Sequence, residues 1–106
     1  MIIVTTDYVP NQQIRELKGF VRGSTIQAKH FGKDILAALK NLIGGEIKEY
    51  EQMLTEARQI AIGRMVEDAK AKGANAIIGV RLQTSSVMSG ASEIIAYGTA
   101  VVVESK

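Results

Sequence analysis

The strongest constraint on this chain lies in its last third. A long helix-like segment closes at Gly73 and runs into two strand-like segments, Ala76–Met88 and Glu93–Glu104, that are apolar on both faces. In the final strand Ile95, Tyr97, Thr99, Val101 and Val103 oppose Ile94, Ala96, Gly98, Ala100 and Val102, so neither face is cleanly polar. One face can meet the helix, and the other needs cover. In a chain of 106 residues the cheapest cover is a second copy of the chain. The sequence therefore predicts a self-associating subunit.

The segment before the strands is the clearest helix. From Glu46 to Lys72 there is no proline; Glu46, Glu49 and Glu51 stand at its start and Lys70 and Lys72 at its end, matching the helix dipole at both termini. Tyr50, Leu54, Ala57, Ala61 and Met65 form one apolar stripe, with Met53 and Ile60 beside it; Ile62, Val66 and Ala69 form a second. Its 27 residues would span about 40 Å, longer than a compact domain of this size, which predicts an overhang toward a partner. Gly63 inside the helix predicts a close crossing there, and Gly73 a left-handed C-terminal cap.

Upstream, Ile2–Thr5 reads as a short strand and Asp7–Asn11, with Pro10, as a loop. Between Glu16 and Lys29, Phe20, Arg22, Ser24, Ile26 and Ala28 alternate with Val21, Thr25 and Gln27, a strand with bends or bulges at Gly19 and Gly23. Ile35, Leu36, Leu39, Leu42 and Ile43 recur at helical spacing from Asp34, a short helix stopped by Gly44 and Gly45. In the strand after Gly73, strict alternation puts Ile78, Val80, Leu82 and Thr84 on one face and Ile77, Gly79, Arg81 and Gln83 on the other. The fold class expected is α+β: an antiparallel sheet packed on one long helix plus a short one, a single domain over residues 1–106.

Composition removes several kinds of chemistry. Without cysteine there is no disulfide, thiolate nucleophile or Cys-based metal site. His30 is the single imidazole, so no Ser-His-Asp or Cys-His constellation can be assembled. An acid–base site drawing on Glu46, Glu93, Tyr50 or Tyr97 finds no supporting spacing, and the expectation is a protein that is not an enzyme. No apolar run is long enough to span a bilayer and no signal-peptide pattern is present, so the expected location is the cytoplasm, away from membranes. The formal charge is +2, with six basic against three acidic residues before Gly44 and seven against eight after it. Lys18, Arg22, Lys29 and Lys33 are scattered, with only Phe20 and Phe31 among them, which reads as solvated faces rather than a nucleic-acid surface.

Two sets of residues remain as candidate sites. Glu46 and Glu49, one helical turn apart, can hold a hard cation, with His30 joining them only across a subunit boundary. The same carboxylates also suit a helix N-terminus with no ligand. Arg81 and Glu93 are the few charges set in the apolar sheet. With Tyr97 they mark the expected subunit interface, Arg81 meeting a carboxylate such as Glu93 in an intersubunit ion pair, with any ligand near that seam.

Gly44-Gly45-Glu46 followed by Tyr50, Leu54-x-x-Ala57-Arg58, Met65, Gly73-Ala74-Asn75-Ala76, Gly79-Val80-Arg81, and Glu93 with Ala96-Tyr97-Gly98-Thr99-Ala100-Val101 together resemble the uncharacterised YbjQ-like family. That family carries a heavy-metal-binding label. The resemblance implies a dodecin-like subunit, a sheet wrapped on a long helix, and a homo-oligomer, a pentamer. It supplies no catalytic motif. Soft metals favour thiolates or clustered imidazoles, which this chain lacks. The expected function is a homo-oligomeric binding or assembly protein; the alternative is a metal-binding module using Glu46, Glu49 and His30. The sequence leaves the cofactor open, with a divalent metal or a small ligand as candidates.

Overall fold

A computed structural model describes residues 1–27, 47–88 and 91–106. Its elements are β1 (Ile2–Ile3), β2 (Gln12–Gln27), α1 (Ile47–Ala71), β3 (Ala76–Met88) and β4 (Ala91–Ser105). The three long strands are antiparallel in the order β3-β4-β2, and β1 adds to the outer side of β3 in parallel. The sheet is thus mixed rather than purely antiparallel. The expected short helix after Asp34 lies outside the described residues.

The helix lies on one face of the sheet, over β2 and β4. Ala57, Ala61, Met65 and Ala69 are buried against Val21 of β2, Ile77 and Val80 of β3, and Ile94, Ala96 and Ala100 of β4. Four-residue spacing puts these helical positions in one row, and small alanines let the backbone approach the sheet closely. Ile60, expected beside that row, is largely exposed, whereas Leu54, Ile62 and Val66 flank the core. The helix ends as the sequence predicts. Gly73 has φ +79, the Ala74 N–H donates to Ala69 O and the Gly73 N–H to Lys70 O, the paired bonds of a Schellman cap.

Two glycine readings change places. Among the described residues nothing lies within 4 Å of a Cβ added at Gly63, so none of them makes a close crossing there. The crossing is at Gly23, where an added Cβ would stand 2.7 Å from Arg64 C and nearer still to Ala61 O and Met65 N. Helix and strand meet backbone to backbone at that point. Gly19 fulfils its prediction, with φ +104 at a register shift between Leu17 and Gly19.

Gly79 corrects the face assignment of β3. It has φ +61, and the β3–β4 register shifts between Ile78 and Arg81. A bulge inserts one residue and so reverses the alternation beyond it. Ile77 therefore shares the helix face with Val80 and Leu82, while Ile78 shares the outward face with Arg81 and Gln83. β2, with 16 residues at about 3.3 Å each, is longer than the helix and matches the 55 Å long axis of the molecule.

The first residues give the sheet part of its second cover. Val4 and Val9 pack on Ala76, Ile78, Val101 and Val103, forming a small second core on the outward face. Backbone bonds hold this segment along β3: Val4 N–H to Ile77 O, Val80 N–H to Val4 O, and Gly79 N–H to Thr6 O. Asn75 locks the same end, its side chain donating to Val103 O at 2.9 Å and accepting from Val103 N–H at 2.8 Å. The expectation that a partner must cover the whole outward face is thus too broad.

Candidate ligand and subunit interface

Beyond the patch under Val4 and Val9, no described residue covers the outward face. Cross-strand register sets its rows: Phe20 and Ile78 flank Thr99, Arg22 and Arg81 flank Tyr97, Ser24 and Gln83 flank Ile95, and Ile26 and Ser85 flank Glu93. Residues directly opposite one another share a face, so these twelve side chains form one surface. Ile14, Leu17, Phe20 and Ile26 along β2 are between 48% and 68% exposed. Four large apolar groups on one strand face in water are more than isolated surface hydrophobes.

The polar centre of this surface is the Arg22–Tyr97–Arg81 row. The Phe20 and Tyr97 rings are 6.4 Å apart between centroids and inclined at 37°, a tilted aromatic pair. Arg81 Nη1 donates to Thr5 O at 3.1 Å and to Val80 O at 2.9 Å, which anchors the guanidinium on the first-segment backbone. Arg22 is held through its main chain: its N–H donates to Asp68 Oδ2 at 3.2 Å, and Arg64 of α1 donates to Ser24 O two residues on. Helix side chains thereby occupy outward-pointing groups of the β2 edge, which would otherwise invite another strand. Lys72 donates to Asp68 at 2.8 Å; this bond, then the Arg22 N–H, holds the Asp68 carboxyl below the ordinary aspartate range. The Glu16 carboxyl is lowered likewise by its bond to Lys18.

Within the chain, Arg81 and Glu93 share the outward face without forming an ion pair. Glu93 is four residues along β4 from Tyr97, about 13 Å away at strand rise. The ion pairs among the described residues are Lys18–Glu16, Lys70–Glu67 and Lys72–Asp68, none involving Arg81 or Glu93. Arg81 is exposed rather than buried in this chain. Tyr97 is half-buried on the outward face of β4, with Arg22 and Arg81 directly across from it on the neighbouring strands. Sequence reading missed Arg22 and Phe20 as parts of the same surface. Their strand alternation was legible, but their pairing with β4 depends on long-range register.

Of the expected metal ligands, His30 and Glu46 lie outside the described residues, and of Glu49 only its place in the first turn of α1 is described. Among the described residues no group of three or more His, Cys, Asp or Glu side chains could hold a metal ion. Met65 is fully buried in the core and offers its sulfur to no ion. These residues do not fit a heavy-metal centre, whose soft ion calls for sulfur or several imidazoles. No described helix is long and apolar enough to cross a membrane.

Comparison with known proteins gives a consistent family picture. The YbjQ family, described as "Putative heavy-metal-binding", matches residues 1–104. A UPF0145 protein of Clostridioides difficile is 66% identical over 104 residues, covering 98% of this chain and 93% of its own. One from Halalkalibacterium halodurans is 62% identical, with 98% of both chains covered. An archaeal relative from Methanosarcina acetivorans is 58% identical over 101 residues, with 95% of each covered. The crystal structure of a DUF74-family protein of unknown function from Pediococcus pentosaceus aligns with TM-score 0.64 at 18% identity over 98% of both chains. That likeness is one of fold.

Proposed function

The chain belongs to the YbjQ (UPF0145) family, and on that footing we propose that it is a non-catalytic, single-domain subunit of a cytoplasmic homo-oligomer. Copies of the chain meet over the bare outward face of the sheet. The observation that carries this reading is the apolar row Ile14, Leu17, Phe20 and Ile26, whose side chains are 48% to 68% exposed among the described residues. Full burial of one such side chain contributes about 1.5–3 kcal/mol, so covering the exposed part of four contributes about 4–7 kcal/mol. Association costs about 4–15 kcal/mol, so this face needs help from further apolar groups such as Ile60 and Leu82, each 46% exposed. A ring, in which each copy uses two different surfaces, supplies that help, and the pentamer implied by the resemblance is one such ring. Leu17→Glu tests the face: sedimentation velocity is expected to show dissociation to single chains with the secondary structure intact. A Leu17→Glu protein as associated as the native one would remove the proposal.

A second reading, a metal-binding module with Glu46, Glu49 and His30 at a subunit boundary, draws support from the family's description alone. It favours a hard or borderline divalent ion over a soft one, because carboxylates dominate that set. Calorimetric titration with zinc, nickel and manganese should show saturable heat that Glu49→Gln abolishes. Absence of heat with all three excludes this reading.

A further inference from the structure

We propose that the Arg22–Tyr97–Arg81 row, with Phe20 beside it, is a nucleotide site that takes a phosphate between the two arginines and a base on the aromatic pair. It rests on the assembly reading for its position, at the seam where another copy closes over the sheet. Tyr97 stands on the central strand with Arg22 directly across on β2 and Arg81 directly across on β3. Neighbouring strands are about 4.8 Å apart, so the two arginine backbones lie about 10 Å apart with the phenol ring between them. Two arginine side chains at that spacing can converge on one oxyanion above the ring.

Among the described residues, these charges have no ion-pair partner on their own face. Glu93 is about 13 Å away along β4, and Asp68 of α1 feels the Arg22 charge but forms its ion pair with Lys72. Arg81 spends Nη1 on the Thr5 and Val80 carbonyls, on the side of β3 away from Tyr97, and keeps Nε and Nη2 as donors, so reaching the oxyanion requires the guanidinium to swing across β3. Closing a second copy over two guanidinium groups that have no ion pair among the described residues is costly unless an anion joins them. Phosphate suits this fork because guanidinium offers parallel N–H donors to its oxygens.

The ring pair selects what the phosphate is attached to. Phe20 is 61% exposed and its ring lies 6.4 Å from that of Tyr97, so together they present a step of aromatic surface beside the anion site. Bases stack on such platforms on antiparallel sheets without reading sequence. A nucleotide brings the anion and the flat ring in one molecule. Scattered lysines and arginines in the sequence conceal this, because Tyr97 and Arg81 join Arg22 and Phe20 only through strand pairing.

Three probes test the site by calorimetry on the intact protein: inorganic phosphate, adenosine monophosphate and a ten-residue oligothymidylate, with light scattering on the same samples. Saturable binding of the mononucleotide, at least ten-fold tighter than phosphate and at least ten-fold weaker in Arg22→Gln and in Tyr97→Leu, is expected. Stronger binding of the oligonucleotide would identify a polymer as the source of the nucleotide, and equal binding a free one. An assembled protein that binds none of the probes at millimolar concentration overturns the proposal. So does phosphate binding as tightly as the mononucleotide, or an Arg22→Gln variant with native affinity. A single chain that still binds the mononucleotide upholds the site while refuting the assembly.

Discussion

Replacing Gly23 by alanine adds one methyl group where the structure has no room for it. The new Cβ would lie 2.7 Å from Arg64 C, with Ala61 O and Met65 N nearer still, and ordinary contact begins at 3.4 Å. The obstacles are backbone atoms of α1, so no side chain can swing away. The helix must retreat from β2 by at least about 0.7 Å, a gap that forfeits a quarter to a half of the dispersion energy of each contact it opens. Ala57, Ala61, Met65 and Ala69 all lose contact with the sheet together, which places the cost at the upper end of overpacking, about 3 kcal/mol. With an unfolding entropy of about 2.1 cal/mol/K per residue over 106 residues, Tm should fall by about 13 °C. Gly63→Ala is the matched control. Its Cβ meets nothing within 4 Å, and a helix interior gains about 1 kcal/mol from that exchange, a rise of about 4 °C. Scanning calorimetry at one fixed protein concentration reads both, since assembly would make Tm concentration-dependent. A Gly23→Ala protein melting within about 2 °C of the native one would refute the backbone-to-backbone crossing.

Other substitutions probe the remaining joints. Asn75→Ala leaves the Val103 N–H and C=O without their side-chain partners and should cost about 2 kcal/mol in urea unfolding. Gly79→Ala forces a side chain into φ +61 and should cost about 1–2 kcal/mol, visible as a lower urea midpoint. The Asp68 carboxyl is lowered in the fold, so its contribution is present above the unfolded aspartate range and disappears as pH falls through the folded value. Asp68→Asn should therefore unfold about 0.5–1 kcal/mol more easily at neutral pH and match the native protein once both carboxyl forms are protonated, as denaturation at a series of pH values will show.

The elements of this fold are legible where the signal is local. Charge placement and a proline-free run mark α1, Gly73 marks its end, and the alternation in β4 assigns its two faces as the structure has them. Legibility fails where one residue's backbone decides the rest. A single bulge at Gly79 exchanges the faces of Ile77 and Ile78, and alternation cannot foresee a bulge whose only mark is a glycine. Gly23 of β2 and Gly63 of α1 look alike in sequence, yet among the described residues only Gly23 stands at the helix–strand crossing, because that point depends on how α1 lies across β2. The same holds for the candidate site. Tyr97 and Arg81 stand out as polar groups in an apolar sheet, but their union with Arg22 and Phe20 requires the β2–β4 register.

The central claim is that the bare face of the sheet is an interface between copies of the chain. The mass of the native protein in solution, measured by light scattering at micromolar concentration, tests it most directly. A whole-number multiple of 11.5 kDa that collapses to a single chain in Leu17→Glu is the predicted result. A folded native protein with a mass of 11.5 kDa at that concentration would contradict it.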